Sequence, residues 1–177
     1  MRTHATAQLI GTNSMSKLCK GGVTLRAQVD KRFDKRDRRS DGWIGDSAHS
    51  ARASDHNPDA KGVVRALDID ENMGKPGKWR NGRTARLLAD QLVKYAASNA
   101  PGSQRVKYVV YEDRIASGTH VSSWWKWRGS GYGHTQHIHI SFTPLADMDG
   151  SIFPLPILTK SPSKKLAYRR LIAKRRR

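Results

Sequence analysis

Three of the seven histidines fall within six residues, at His134, His137 and His139, in the stretch His134-Thr135-Gln136-His137-Ile138-His139-Ile140-Ser141-Phe142. The alternation of His137, Ile138, His139 and Ile140 has the period-2 pattern of a half-buried strand. Such a strand turns both imidazoles to one face, about 6–7 Å apart, and sends the isoleucines into the core. Imidazoles placed this way can share a metal ion, or one can bind it while its neighbour moves a proton. The polar face of an ordinary amphipathic strand would look the same, so the metal chemistry requires further ligands from elsewhere in the chain.

Two other places offer them. His56 stands directly before the turn signal Asn57-Pro58. Val63 to Asp70 reads as a strand in which Asp68 and Asp70 share one face. Carboxylates on a strand rich in Val, Leu and Ile are disfavoured unless the strand end is exposed or a cation pairs them. A His, Asp, His set satisfies zinc with three protein ligands and leaves a fourth position for water. Zinc lowers the pKa of that water and polarises a carbonyl. A histidine left over from the ligand set is then placed as general base, or as a donor to a tetrahedral intermediate.

The elements that must position these residues follow from the remaining pattern. Leu25, Val29 and Phe33 at i, i+4, i+8 predict a helix from Thr24, with Gly21-Gly22 read as a break before it. Asp46 is placed to cap a short helix over Ile44 to His49. Leu87, Leu88, Leu92, Val93 and Ala96 predict a helix over Thr84–Ala97, stopped by Pro101-Gly102. Val106–Tyr111 predicts a strand, with Glu112-Asp113 turning into a second strand at Arg114–Ala116. Trp124, Trp125 and Trp127, beside Gly129, Gly131 and Gly133, suit either a substrate wall or a corner of the core. The expected fold is α+β, a small central antiparallel sheet carrying the zinc site and flanked by helices, with a basic C-terminal tail.

The 177 residues suit one domain with a core. No apolar run approaches the roughly 18 residues of a membrane span, and the N-terminus lacks the apolar stretch of a secretory signal. Synthesis in a cytoplasm is therefore expected, with any action outside following release by another agent. Cys19 is the single cysteine, which excludes an internal disulfide and a cysteine-rich zinc module. The net charge of +18 predicts attraction to a polyanion. Nine lysines and arginines between Lys160 and Arg177 supply half of that excess without an acidic counterweight.

Ser54-x-His56, then Gly62 and Ala66-Leu67-Asp68-Ile69, then His134-x-x-His137-x-His139 resemble the zinc peptidoglycan peptidases. That group contains D-alanyl-D-alanine carboxypeptidases, murein endopeptidases and phage endolysins. The likeness runs from about Leu25 to Phe142, and the histidine spacing is similar to the murein endopeptidase branch. Ser40-Asp41-Gly42-Trp43-Ile44-Gly45-Asp46 is also similar to endolysins of actinobacterial phages. The resemblance implies a Zn²⁺ ion held by His56, Asp68 and His139, with His137 as the catalytic histidine. His134 stands where other branches place an acidic base. Ser54 would contact a ligand from outside or touch substrate, and Arg39 or Arg52 would bind a substrate carboxylate. The segment Asn57 to Lys61 lengthens the usual gap between His and Asp, which leaves Asp70 as a rival ligand.

The resulting expectation is a monomeric zinc metallopeptidase cutting bacterial peptidoglycan, with a leader over 1–22, the peptidase domain over 23–146, and a proline-containing segment and basic tail over 147–177. The tail would meet anionic polymers of the cell envelope. A nucleic-acid binder or metal-dependent nuclease is the alternative, prompted by charge. Against it, Ser40 to Asp70 carries no basic excess, so no specific nucleic acid is expected. A non-catalytic, zinc-stabilised protein on the same fold is a third reading.

Overall fold

The computed structural model describes residues 15–46, 52–74 and 82–159. The chain forms an α+β fold of two helices, one five-stranded antiparallel sheet and a small parallel pair. In order, β1 (Lys17–Leu18) leads into α1 (Lys20–Arg32), β2 (Val63–Val64) and β3 (Ala66–Asp70). Then follow α2 (Arg83–Ala96), β4 (Val106–Tyr111), β5 (Arg114–Ser117), β6 (Arg128–Gly129) and β7 (His137–Phe142). The main sheet has the order β3-β7-β4-β5-β6, and β1 pairs with β2 separately. Among the described residues no helix is long and apolar enough to cross a membrane.

Strand alternation divides the sheet into an apolar face and a site face. Leu67 and Ile69 of β3, Ile138 and Ile140 of β7 and Val109 of β4 are buried with Leu25 and Val29 of α1 and Leu88 and Leu92 of α2. Asp68, His137 and His139 alternate with them and so point the other way. β3 and β7 run antiparallel with Asp68 opposite His139 and Asp70 opposite His137. That register brings residues some seventy positions apart in the chain side by side. β4 and β5 join through Glu112 and Asp113, both at positive φ (51° and 54°), the backbone of a two-residue turn whose twist matches the strands.

Several expectations need correction. Gly21 and Gly22 do not break the chain but lie buried inside α1, which begins at Lys20 rather than Thr24. A Cβ on Gly22 would lie 2.8 Å from the Leu18 side chain, and one on Gly21 would lie 3.0 Å from Ala146. Close approach is what glycine provides here. The strand expected over Val63–Asp70 is divided at Arg65. Val63 and Val64 pair with β1, and the Arg65 side chain reaches Asp59 and Asp147. The limits of 23 and 146 are both too narrow for the packed unit. Cys19 lies in the core, as do Phe153, Leu155 and Leu158 beyond residue 147. Residues 44–46 are not helical, and the remainder of the helix expected after Asp46 lies outside the described residues. So do the loop at 75–78, most of the leader and the basic tail.

Trp125 and Trp127 pack against the core edge. The Trp127 indole donates to Asp90 at 2.9 Å and lies under the Arg114 guanidinium. Trp124 is exposed. Two of the three tryptophans therefore form a core corner.

Candidate metal centre

His56 sits in a loop, and three features hold that loop in place. The Ser54 hydroxyl accepts the His56 amide at 3.3 Å. The His56 carbonyl accepts the Gly45 amide at 3.0 Å, while the Trp43 carbonyl lies 3.1 Å from Nδ1 of the ring. The segment carrying Trp43 is itself fastened to β3, because Gly42 and Asp68 exchange backbone hydrogen bonds at 3.3 and 2.7 Å. The extra residues between His56 and β3 close on Asp59. Its carbonyl accepts the Gly62 amide, and its side chain accepts the Lys61 and Val63 amides. The lengthened gap is thus a self-contained turn that returns the chain to the sheet without displacing His56.

Asp68 and His139 arrive from β3 and β7 as directly paired residues. His56 Nε2 lies 3.2 Å from one Asp68 oxygen, His139 Nδ1 lies 3.0 Å from the other, and the two ring nitrogens are 3.1 Å apart. His56, Asp68 and His139 can hold a metal ion. The separations suit one, since metal–ligand bonds of about 2.0–2.1 Å place tetrahedral donors roughly 3.3 Å apart. The donor chemistry agrees. A backbone carbonyl only accepts, so the Trp43 contact puts the hydrogen on Nδ1 of His56 and turns the Nε2 lone pair to the site. A lone pair and a carboxylate facing each other within 3.2 Å repel unless a proton or a cation lies between them.

The electrostatics express that demand. Burial works to raise the Asp68 pKa, but hydrogen bonds and charge from His139 and His56 outweigh it and hold the carboxyl well below the usual range. Burial works against protonating His56, yet the Asp68 carboxylate beside it raises its pKa. The same pull would hold a metal ion in the proton's place.

His137 lies at the rim of this triad, its Nε2 3.8 Å from an Asp68 oxygen. Burial lowers its pKa and outweighs Asp68, which leaves the ring neutral at pH 7. His134 meets His137 edge to face at 4.9 Å and His139 at 5.4 Å between ring centroids. Its pKa is also lowered, by burial and then by the charges of His139 and His137. His134 has a φ of 52°, a conformation held in place where its carbonyl accepts the Glu112 amide at 3.0 Å. All three histidines of the sequence cluster therefore gather at one site with His56 and Asp68.

No protein-family model, curated protein or solved structure matches this chain. What the site can do must be read from its own geometry.

Asp70 is not part of the triad. Its two oxygens accept the Asn72 amide at 2.8 Å and the Ser40 amide at 3.0 Å, so it fastens the 36–41 loop to the end of β3. That loop brings Arg39 to a cleft of about 280 Å³ that Asp70, Glu71 and Gln136 also line, beside His137. The Arg39 guanidinium is paired with Asp37 at 2.6 Å yet its side chain stays 75% exposed. Arg52 is exposed, and its carbonyl accepts the Asn57 side chain; it is not among the residues lining that cleft. Ser54 is engaged with the His56 backbone.

Two site residues escaped the sequence reading. Ser141 Oγ lies 3.0 Å from His139 Nε2, and the Tyr108 ring stacks on His139 at 5.4 Å and 20°. Ser141 shares the period-2 face of His137 and His139, a signal that was present. Tyr108 had none, because its place depends on how β4 registers with β7.

Proposed function

We propose that this protein is a zinc-dependent peptidase that hydrolyses peptide bonds in the stem peptides or cross-links of bacterial peptidoglycan, as phage endolysins of this type do. The observation that carries the reading is the convergence of His56, Asp68 and His139, with His137 and His134 on the rim. Two imidazole nitrogens and one carboxylate suit zinc better than magnesium or calcium, which prefer all-oxygen sets. Zinc bound there supplies Lewis-acid polarisation of a carbonyl and a water acidified towards neutrality.

The remaining chemistry belongs to the side chains around it. His137 is neutral and within reach of the site, so it takes a proton at Nε2 during attack and returns it to the departing amine. His134, packed edge-on against His137, limits the rotation of that ring. Arg39 holds a substrate carboxylate in the adjoining cleft by paired hydrogen bonds. Peptidoglycan stems carry such carboxylates, and a net charge of +18 favours an anionic wall.

The test is zymography on purified cell walls, with and without a chelator. Clearing is expected to disappear on chelation and to return with added zinc. Mass spectrometry of the released muropeptides would then name the bond and separate endopeptidase from carboxypeptidase action. Clearing that ignores metal removal would overturn the proposal.

A further inference from the structure

We infer that Arg36, with its buried partner Asp41, is a positioning residue for the metal centre, holding the ligands His56 and Asp68 in place through the backbone of Gly42 and Trp43. This role rests on the metal reading of the triad and not on the peptidase chemistry.

β3 lies at one end of the main sheet, with β7 as its neighbour there. The other edge of β3 is covered by residues 40–43. Gly42 and Asp68 exchange two backbone hydrogen bonds, and the Asp70 amide donates to the Asp41 carboxylate at 2.9 Å. One residue further on, the Trp43 carbonyl meets Nδ1 of His56 at 3.1 Å. Three consecutive residues, Asp41 to Trp43, thus touch both the strand that carries Asp68 and the ring of His56. A metal site tolerates donor displacements of only about 0.2 Å, so a shift of this segment would pull the two ligands out of common reach.

The segment is not held by regular structure of its own, since Gly42 makes an isolated bridge to Asp68 and belongs to no strand. Arg36 supplies the missing anchor. Its side chain is fully buried and that of Asp41 is 7% exposed. Nη1 of the guanidinium donates to one Asp41 oxygen at 2.7 Å and Nη2 to the other, a two-pronged pairing whose planar fork fixes direction as well as distance. The same group donates from Nε to Asp30 of α1 at 2.9 Å and from Nη1 to the Asp37 carbonyl at 2.9 Å. α1 is in turn fixed to the core by Leu25 and Val29. A buried ion pair adds little net stability over apolar side chains of similar volume; what this one adds is a defined place for Gly42 and Trp43. Arg39, three residues along, is exposed at the cleft, whereas Arg36 turns inward and is closed to substrate.

The test uses the full-length chain and its Arg36→Met, Asp41→Asn and Phe153→Leu variants. Zinc affinity is measured by chelator competition, cobalt binding by visible absorption, and folding by circular dichroism. Arg36→Met removes the fork. Asp41→Asn keeps an acceptor oxygen for the Asp70 amide but leaves Arg36 one oxygen where it had two. Both are expected to bind zinc about tenfold more weakly, with a shifted cobalt spectrum. Phe153→Leu loosens the core against Tyr95 and Phe142 instead of at this segment, and is expected to keep the wild-type affinity and spectrum. Because Asp41→Asn preserves volume and leaves the guanidinium paired with Asp30, it decides the matter should Arg36→Met fail to fold. A folded Arg36→Met or Asp41→Asn variant with wild-type affinity and an unchanged spectrum would overturn the inference. So would an equal weakening in Phe153→Leu, which would show that zinc binding follows general stability. A wild-type chain that binds no zinc would instead overturn the metal reading itself.

Discussion

His137 and His139 leave β7 on the same side, yet their surroundings give them different work. His139 is buried with both ring nitrogens engaged, one at the triad and one at Ser141, the arrangement of a metal ligand with an outer partner. His137 is half-buried and its Nε2 lies 3.8 Å from the Asp68 carboxylate, outside the triad and able to meet a substrate. His137→Ala is therefore expected to keep zinc, measured by chelator competition, while turnover of a muropeptide falls by about 10²–10⁴-fold, the usual contribution of a general base. Unchanged turnover would remove His137 from the mechanism. The strand half of the site was legible in the sequence because period-2 alternation fixes which face His137, His139 and Asp68 share, whereas His56, in a loop, was marked only by its place before a turn signal. The alternation treats Asp68 and Asp70 alike. What separates them is the arrival of the Ser40 amide at Asp70, a contact between loop and strand thirty residues apart that no local pattern encodes.

At the scale of elements, the helices and strands with strong periodicity were readable, and the segment after Asp147 was not. Its prolines and isolated apolar residues have no period, so its burial depends on what other elements offer it. α1 offers polar side chains. Gln28 both donates to the Phe153 carbonyl at 3.0 Å and accepts the Phe153 amide at 2.8 Å, and Thr24 and Arg32 hold the carbonyls of Gly150 and Ile157. This clamp lays Phe153 against Tyr95 and Phe142, with the Arg105 guanidinium 4.1 Å over its ring. The polar face of α1, which reads as solvated, is thus partly an interface for irregular backbone. Phe153→Ala, at a fully buried position, is expected to cost about 3–5 kcal/mol, as buried aromatic truncations do. Urea unfolding monitored by circular dichroism checks it. A loss below about 1 kcal/mol, the scale of a surface change, would show that this segment is an appendage to the domain.

For the molecule as a whole, charge sets how the fold meets acid. Among the described residues five carboxyls are held below their ordinary values, each for a local reason. For Asp37 the first cause is the Arg39 side chain, which brings it to about 2; for Asp59 it is the Val63 amide, and for Asp149 the Ser151 hydroxyl. For Asp55 and Asp68 burial opposes the shift, but Lys107 and the histidines prevail. Unfolded aspartates titrate near 3.9, so the folded chain binds fewer protons than the unfolded one as pH falls. Stability from these groups is present above about pH 4 and is lost on descending through the folded values, about pH 2 for Asp37 and lower for Asp68. Protonating the fifteen acidic residues also leaves thirty-three lysines and arginines without counterweight, and their mutual repulsion favours the expanded state. The two effects separate by ionic strength, because salt screens the repulsion between exposed charges far more than it screens buried pairs. In chelator, to remove any metal contribution, the urea midpoint is expected to drop steeply between pH 4 and pH 2. About 0.5 M salt should recover part of the loss, and the unrecovered part belongs to the paired aspartates. A midpoint that does not move across this window would mean that the pairings around Asp37, Asp55, Asp59, Asp68 and Asp149 contribute nothing to holding the fold.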